Sequence, residues 1–121
     1  MDSKEHDVGA VSEFEPGEIR KKMVGSRAIA IVRKGDSFLA VRDLCPHQGA
    51  PLSSGTVSGT PRRCVPGEEI VLDRVGEILI CPWHGWEFDL ISGGTLDNPR
   101  SGRVRTYPVR VKGNRVIVNI G

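Results

Sequence analysis

Apolar residues in this chain come in short runs broken by glycine, proline and charge, and no stretch repeats them at a helical period. The clearest unit is Ala28-Ile29-Ala30-Ile31-Val32, then Lys34-Gly35-Asp36, then Phe38-Leu39-Ala40-Val41. Its β-branched and aliphatic content predicts two strands, and Gly35 permits the positive φ that a tight hairpin turn needs. Upstream, Phe14 reads as a short strand, and Pro16-Gly17 turns the chain into Glu18 to Val24. Downstream, Glu69-Ile70-Val71-Leu72 and Glu77-Ile78-Leu79-Ile80 frame Asp73-Arg74-Val75-Gly76, which predicts a second hairpin. Trp86-Glu87-Phe88-Asp89-Leu90 alternates apolar with acidic residues, as a half-buried strand does, and Ser92-Gly93-Gly94 turns it. The polar stretch to Gly102 includes the turn Asp97-Asn98-Pro99. Val104, Thr106, Val109 and Val111 lead to the turn Lys112-Gly113-Asn114, and Val116 to Ile120 closes the domain. The expected fold is all-β, with residues 1–13 a flexible N-terminal tail and 14–121 one domain.

Composition supports that picture. A chain of 121 residues with 38% hydrophobic and 26% charged residues has the material for one modest core. Its 15 glycines and 8 prolines favour a turn-rich β domain over a helical bundle. No apolar run approaches the ~20 residues that span a bilayer, and the polar, acidic start lacks a signal-peptide pattern, so no membrane association is expected and the cytoplasm is the default. The odd cysteine count, Cys45, Cys64 and Cys81, fits a reducing compartment better than a disulfide framework.

Charge is uneven. Residues 1–19 hold Asp2, Glu5, Asp7, Glu13, Glu15 and Glu18 against Lys4 alone, whereas residues 100–121 hold Arg100, Arg103, Arg105, Arg110, Lys112 and Arg115 and no acid. Alternating solvated strand faces are the favoured explanation, ahead of a docking patch for a redox partner. The few aromatics do not interleave with the bases, so no nucleic-acid partner is expected.

The chemistry concentrates in two loops, Cys45-Pro46-His47-Gln48-Gly49 and Cys81-Pro82-Trp83-His84-Gly85. They contain two of the three cysteines and two of the three histidines, the third histidine being His6. Each loop follows a predicted strand and offers one thiol and one imidazole, soft ligands for a transition metal. Structural zinc sites usually pair like ligands, at C-x2–4-C and H-x3–5-H. Here each loop mixes the two, as C-x-H and C-x-x-H, which weighs against zinc without removing it. Cys64, beside Arg62 and Arg63, reads as an incidental loop cysteine.

These two mixed loops resemble the cluster-binding signature of the Rieske family, and the resemblance runs from about Phe14 to Ile120. It implies an antiparallel β-sandwich with a cluster-binding subdomain at about 43–95. It also implies one 2Fe–2S cluster, with Cys45 and Cys81 ligating one iron and His47 and His84 the other. Pro46, Gln48, Gly49, Pro82, Trp83, Gly85, Trp86 and Phe88 would surround it. Two thiolates cancel the charge of two ferric ions and two sulfides. Neutral imidazoles therefore lift the potential above that of four-cysteine ferredoxins, into a window of about −150 to +300 mV. In the family members of cytochrome bc complexes, a disulfide joins the loops and Ser and Tyr hydroxyls donate to sulfur. At the matching positions this chain has Ala50 and Trp83, Trp86, and Phe88, which implies the low end of that window. The 33 residues from 48 to 80 exceed the interval of small family members, which suggests an inserted hairpin at about 57–77.

The function implied is a one-electron carrier between a flavin-containing or ferredoxin reductase and an oxygenase, as in ferredoxins of bacterial ring-hydroxylating oxygenase systems. The second loop also resembles the Rieske domain of oxygenase large subunits. An oxygenase itself needs a further iron held by two His and a carboxylate, and His6 alone is left for it. No Gly-rich nucleotide motif follows a strand, so no flavin or nicotinamide cofactor of its own is expected, and the chain is expected to be an electron-transfer protein and not an enzyme. The alternatives are the small or accessory subunit of a nitrite reductase or other redox enzyme, and a zinc-stabilised interaction domain.

Overall fold

A computed structural model describes residues 4–45, 51–61, 72–82, 87–96 and 103–120. They form ten strands: β1 (Glu5–Ala10), β2 (Ile19–Val24), β3 (Arg27–Lys34), β4 (Ser37–Arg42), β5 (Thr56–Pro61), β6 (Leu72–Ile80), β7 (Glu87–Asp89), β8 (Thr106–Tyr107), β9 (Val109–Lys112) and β10 (Arg115–Asn119). The strands make three antiparallel sheets, in the orders β1-β10-β9, β2-β3-β4-β8 and β5-β6-β7. None of the described helices is long and apolar enough to cross a membrane.

The predicted hairpin is the centre of this arrangement. β3 and β4 pair from Ile29↔Arg42 to Lys34↔Ser37, so Gly35-Asp36 is a two-residue turn, with Gly35 at φ +59°. Successive β3 side chains enter opposite cores, as the two-residue strand period requires. Ile29 and Ile31 pack with Val8, Phe14, Val116 and Val118, against the β1-β10-β9 sheet. Ala30 and Val32 pack with Leu79, Phe88, Cys45 and Cys81, towards the β5-β6-β7 sheet and the predicted ligand loops. All four β3 residues are fully buried. An unbroken apolar run suits a strand covered on both faces, and this one separates two cores.

Three local expectations need correction. The N-terminal tail is not free: β1 pairs with β10 from Glu5↔Asn119 to Ala10↔Arg115, with a bulge between Asp7 and Gly9. Arg110 Nε donates to Glu5 at 2.5 Å, and Arg115 donates to both Asp7 oxygens at 2.8 and 3.0 Å. The opposed charges of the two chain ends are thus complementary across one sheet, and this pairing accounts for part of the uneven charge without a docking patch. Arg103 donates to the Ser92 carbonyl and Arg105 lies over the Tyr107 ring, so two more of those bases have intramolecular roles.

Phe14, expected in a strand, instead follows a 3-10 turn at Val11–Glu13 and meets Phe38 edge-to-face, with ring centroids 5.4 Å apart. Finally, Asp73-Arg74-Val75-Gly76 is not a hairpin turn. β6 is continuous, and its true hairpin partner is β5. Ser58 pairs with Ile78 and Thr60 with Asp73, so the surplus residues of β6 bulge out between them. Gly76 takes φ +89° in this bulge, and Glu77 is held by an ion pair to Lys34 at the end of β3. A glycine with a positive φ serves a bulge as well as a turn, which is why local composition misled here. Residues 62–71 of the expected insertion, with Cys64, lie outside the described residues.

Two outcomes follow from this architecture. Ile31→Ala removes a fully buried side chain between sheets and is expected to lower unfolding free energy by about 2–5 kcal/mol in urea titrations. The Asp7 carboxyl is held below its ordinary value, first by the hydrogen bonds from Arg115 and then by the Gly9 N–H. The unfolded chain therefore takes up this proton at higher pH than the native one, and the pair's contribution, present above about pH 4, is lost as pH falls further. Asp7→Asn is expected to flatten that acid limb in stability measurements between pH 2 and 5, while leaving its shape above about pH 5 unchanged.

Candidate metal centre

Both predicted thiol ligands emerge from strand ends into the same core. β4 ends at Arg42, whose N–H donates to the Arg105 carbonyl at 2.8 Å, and the next N–H, of Asp43, donates to the Ala28 carbonyl at 3.0 Å. These two bonds hold the chain as it leaves the sheet, and Leu44 N–H then donates to the Arg42 carbonyl at 2.9 Å, turning Cys45 inward. On the other side, β6 runs straight to Ile80 and delivers Cys81 at its end. Cys45 is 1% and Cys81 2% exposed, and both belong to the cluster that includes Leu52, Leu79, Phe88 and Leu90. Two thiols from loops 36 residues apart thus share one dry, apolar environment.

The second loop is closed by sheet pairing. Ile80 pairs with Glu87, so residues 81–86, with His84 among them, form the connection between β6 and β7. Phe88 pairs with Leu79 and is fully buried beside the two cysteines, carrying a bare ring where a tyrosine would bring a hydroxyl. Behind it the chain turns tightly: Asp89 Oδ1 accepts from the Ile91 N–H at 2.9 Å, and Gly93, at φ +82°, has its α-carbon against the Val104 carbonyl. Pro82 is exposed. Of the other predicted site residues, Pro46, His47, Gln48, Gly49, Trp83, His84, Gly85 and Trp86 lie outside the described residues.

Three residues that no sequence motif singled out join the two halves of the site. Asp43, 6% exposed, accepts hydrogen bonds from Ser53 N–H and Ser53 Oγ–H, both at 2.6 Å. Ser53 lies in the 3-10 turn Leu52–Ser54, which ends where the Gly55 N–H donates to the Leu52 carbonyl at 2.9 Å. The Gly55 α-carbon then sits against the Ile80 carbonyl, so closely that a methyl group there would overlap the backbone. A line of contacts therefore runs from the residue two before Cys45 to the residue just before Cys81. No local pattern announces it, because each contact joins separate segments.

Buried thiols supplied in pairs by rigid strand ends are a donor set for a soft metal centre. An iron–sulfur group fits the thiol side of this site on two counts: both sulfur donors lie in one buried cluster, and the apolar side chains of that cluster limit the water that would compete for iron. The class defined is an antiparallel β domain with two buried thiols, one after β4 and one after β6, available to a metal centre. The chain belongs to the Rieske family: residues 4–108 match the Rieske [2Fe-2S] domain, a domain that binds a 2Fe–2S cluster. It is 34% identical to the anthranilate 1,2-dioxygenase ferredoxin subunit of Burkholderia cepacia, over 96% of this chain and 92% of that one. In fold it matches, at a TM-score of 0.74 and 32% identity, a chain of the solved complex of reduced oxygenase and oxidised ferredoxin in carbazole 1,9a-dioxygenase, covering 98% of this chain and 94% of that one. It also matches a chain designated the small subunit of an NADH-dependent nitrite reductase from Mycobacterium tuberculosis, at a TM-score of 0.74 and 28% identity, covering 94% and 92%.

Gly55→Ala is expected to push β5 away from β6 beside Cys81. Unfolding free energy should fall by about 1–3 kcal/mol, and the iron bound per chain should fall with it, measured by urea titration and iron assay on the same preparations.

Proposed function

We propose that this protein is a one-electron carrier that takes electrons from a flavin-containing or ferredoxin reductase and passes them to an oxygenase. The observation that carries this reading is the burial of Cys45 and Cys81 in one cluster at two strand ends, in a chain whose relatives are ferredoxin components of dioxygenase systems. Cys45, His47, Cys81 and His84 are the proposed ligands, and about 43–95 is the proposed cluster-binding subdomain. When bound, the 2Fe–2S cluster supplies a one-electron couple with no change in bonded substrate. The chain's own part is to hold its ligands still, so that little reorganisation accompanies the electron, and to keep water from the thiol side. Phe88 fills the space beside the cysteines without offering a hydrogen bond to sulfur. The chain does not perform the oxygenation itself: it lacks the histidines for a second iron site. The few cysteines and the resemblance to ferredoxin subunits support a cytoplasmic location.

A second reading, the small subunit of a nitrite reductase, has the Mycobacterium tuberculosis relative behind it. The two differ in acceptor, not in cofactor.

Anaerobically purified protein is expected to be red-brown, to hold two irons and two acid-labile sulfides per chain, and to bleach with dithionite. Cys45→Ala and Cys81→Ala should each lose the colour. A colourless protein holding one zinc under ample iron would overturn the carrier reading. Stopped-flow reoxidation of reduced protein by a dioxygenase oxygenase component, compared with a nitrite reductase large subunit, separates the two acceptors. Redox titration should place the potential near about −150 mV, and Phe88→Tyr should raise it, by adding a hydroxyl donor beside the sulfurs.

A further inference from the structure

Asp43 is buried, yet it is neither a proposed ligand nor part of a sheet ladder beyond its own N–H. Its backbone is tied to β3 through the Ala28 carbonyl, and among the described residues Ser53 donates to both carboxylate oxygens. A buried carboxylate is costly unless its oxygens are satisfied, so the position is built for this contact. The contact ties the segment leading into Cys45 to the 3-10 turn Leu52–Ser54. Beyond that turn, Gly55 abuts the carbonyl of Ile80, which is bonded to Cys81. Thr56, next to Gly55, pairs with Ile80 in the β5–β6 ladder.

We propose that the Asp43–Ser53 pair is a latch that positions the cluster thiols: it ties the residue two before Cys45 to the turn that abuts Ile80, and so sets the placement of Cys45 relative to Cys81. The pair acts through the backbone beside Cys45 and does not touch the metal. This inference rests on the reading that Cys45 and Cys81 hold a cluster.

The latch makes a demand on shape more than on charge. In Asp43→Asn, the amide oxygen still accepts the Ser53 N–H and the amide NH2 can donate to Ser53 Oγ, so the contact between the two segments is kept. In Asp43→Ala both bonds are lost. In Ser53→Ala only the hydroxyl bond is lost, and the Ser53 N–H contact remains.

The test is the rate at which iron leaves the anaerobic holoprotein for a chelator, followed by the visible spectrum. Electron paramagnetic resonance of the reduced form and the thermal unfolding midpoint are taken alongside. Asp43→Ala is expected to release iron about tenfold faster or more, and Ser53→Ala severalfold faster, with altered g values, while Asp43→Asn stays within about twofold of the wild type. Release that speeds up without a matching drop in unfolding midpoint supports the latch. The proposal is overturned if Asp43→Ala and Ser53→Ala release iron at the wild-type rate. It is also overturned if Asp43→Asn behaves as Asp43→Ala, or if release follows the unfolding midpoint across all three variants. Should Asp43→Ala fail to fold, Ser53→Ala decides. A wild-type protein without iron would defeat the functional reading itself, a result distinct from any of these.

Discussion

Burial of β3 on both faces is the constraint on which the rest of this structure depends. One face of the strand completes the core shared with the sheet of the two chain ends, through Ile29 and Ile31. The other face, through Ala30 and Val32, floors the cluster that holds Cys45 and Cys81. Small Ala30 leaves room on the cysteine side while the larger isoleucines fill the opposite core. A stable body therefore lies directly behind the two cysteines, each of which follows closely on a strand of it.

Electrostatics act at the periphery of this plan. The acidic beginning and basic end of the chain meet across β1, β10 and β9, where Glu5 faces Arg110 and Asp7 faces Arg115. Such exposed pairs add little energy singly. Their sign pattern nonetheless favours the pairing of two segments more than a hundred residues apart over other strand partners. At the centre Asp43, the buried acid near the site among the described residues, accepts backbone and hydroxyl hydrogen bonds, so that neighbouring segments are joined by directional bonds as well as by apolar packing.

The all-β character, the β3–β4 hairpin and the closing β9–β10 hairpin were legible because each is local: a two-residue side-chain period, a glycine at positive φ, and short connections. The candidate thiols stood out for a chemical reason, since cysteine and histidine are rare and here fall beside proline and glycine after a strand. Phe88 was singled out by its place in the motif, and the fold buries it fully in the cluster that also includes both cysteines. The β6 bulge was not legible, because Asp73-Arg74-Val75-Gly76 has the composition of a turn and only pairing with β5 tells which it is.

By itself, then, the amino-acid sequence determined the all-β character, the two tightest hairpins, and the positions of the few cysteines and histidines together with the kind of cofactor chemistry they suit. Those properties reside in residue type and near-neighbour spacing. Only the tertiary structure decided that the first residues form a strand, that β3 divides two cores, and that Asp43, Ser53 and Gly55 link one cysteine loop to the other. Each of these is a contact between distant segments, and its energy exists only once the whole chain has folded around it.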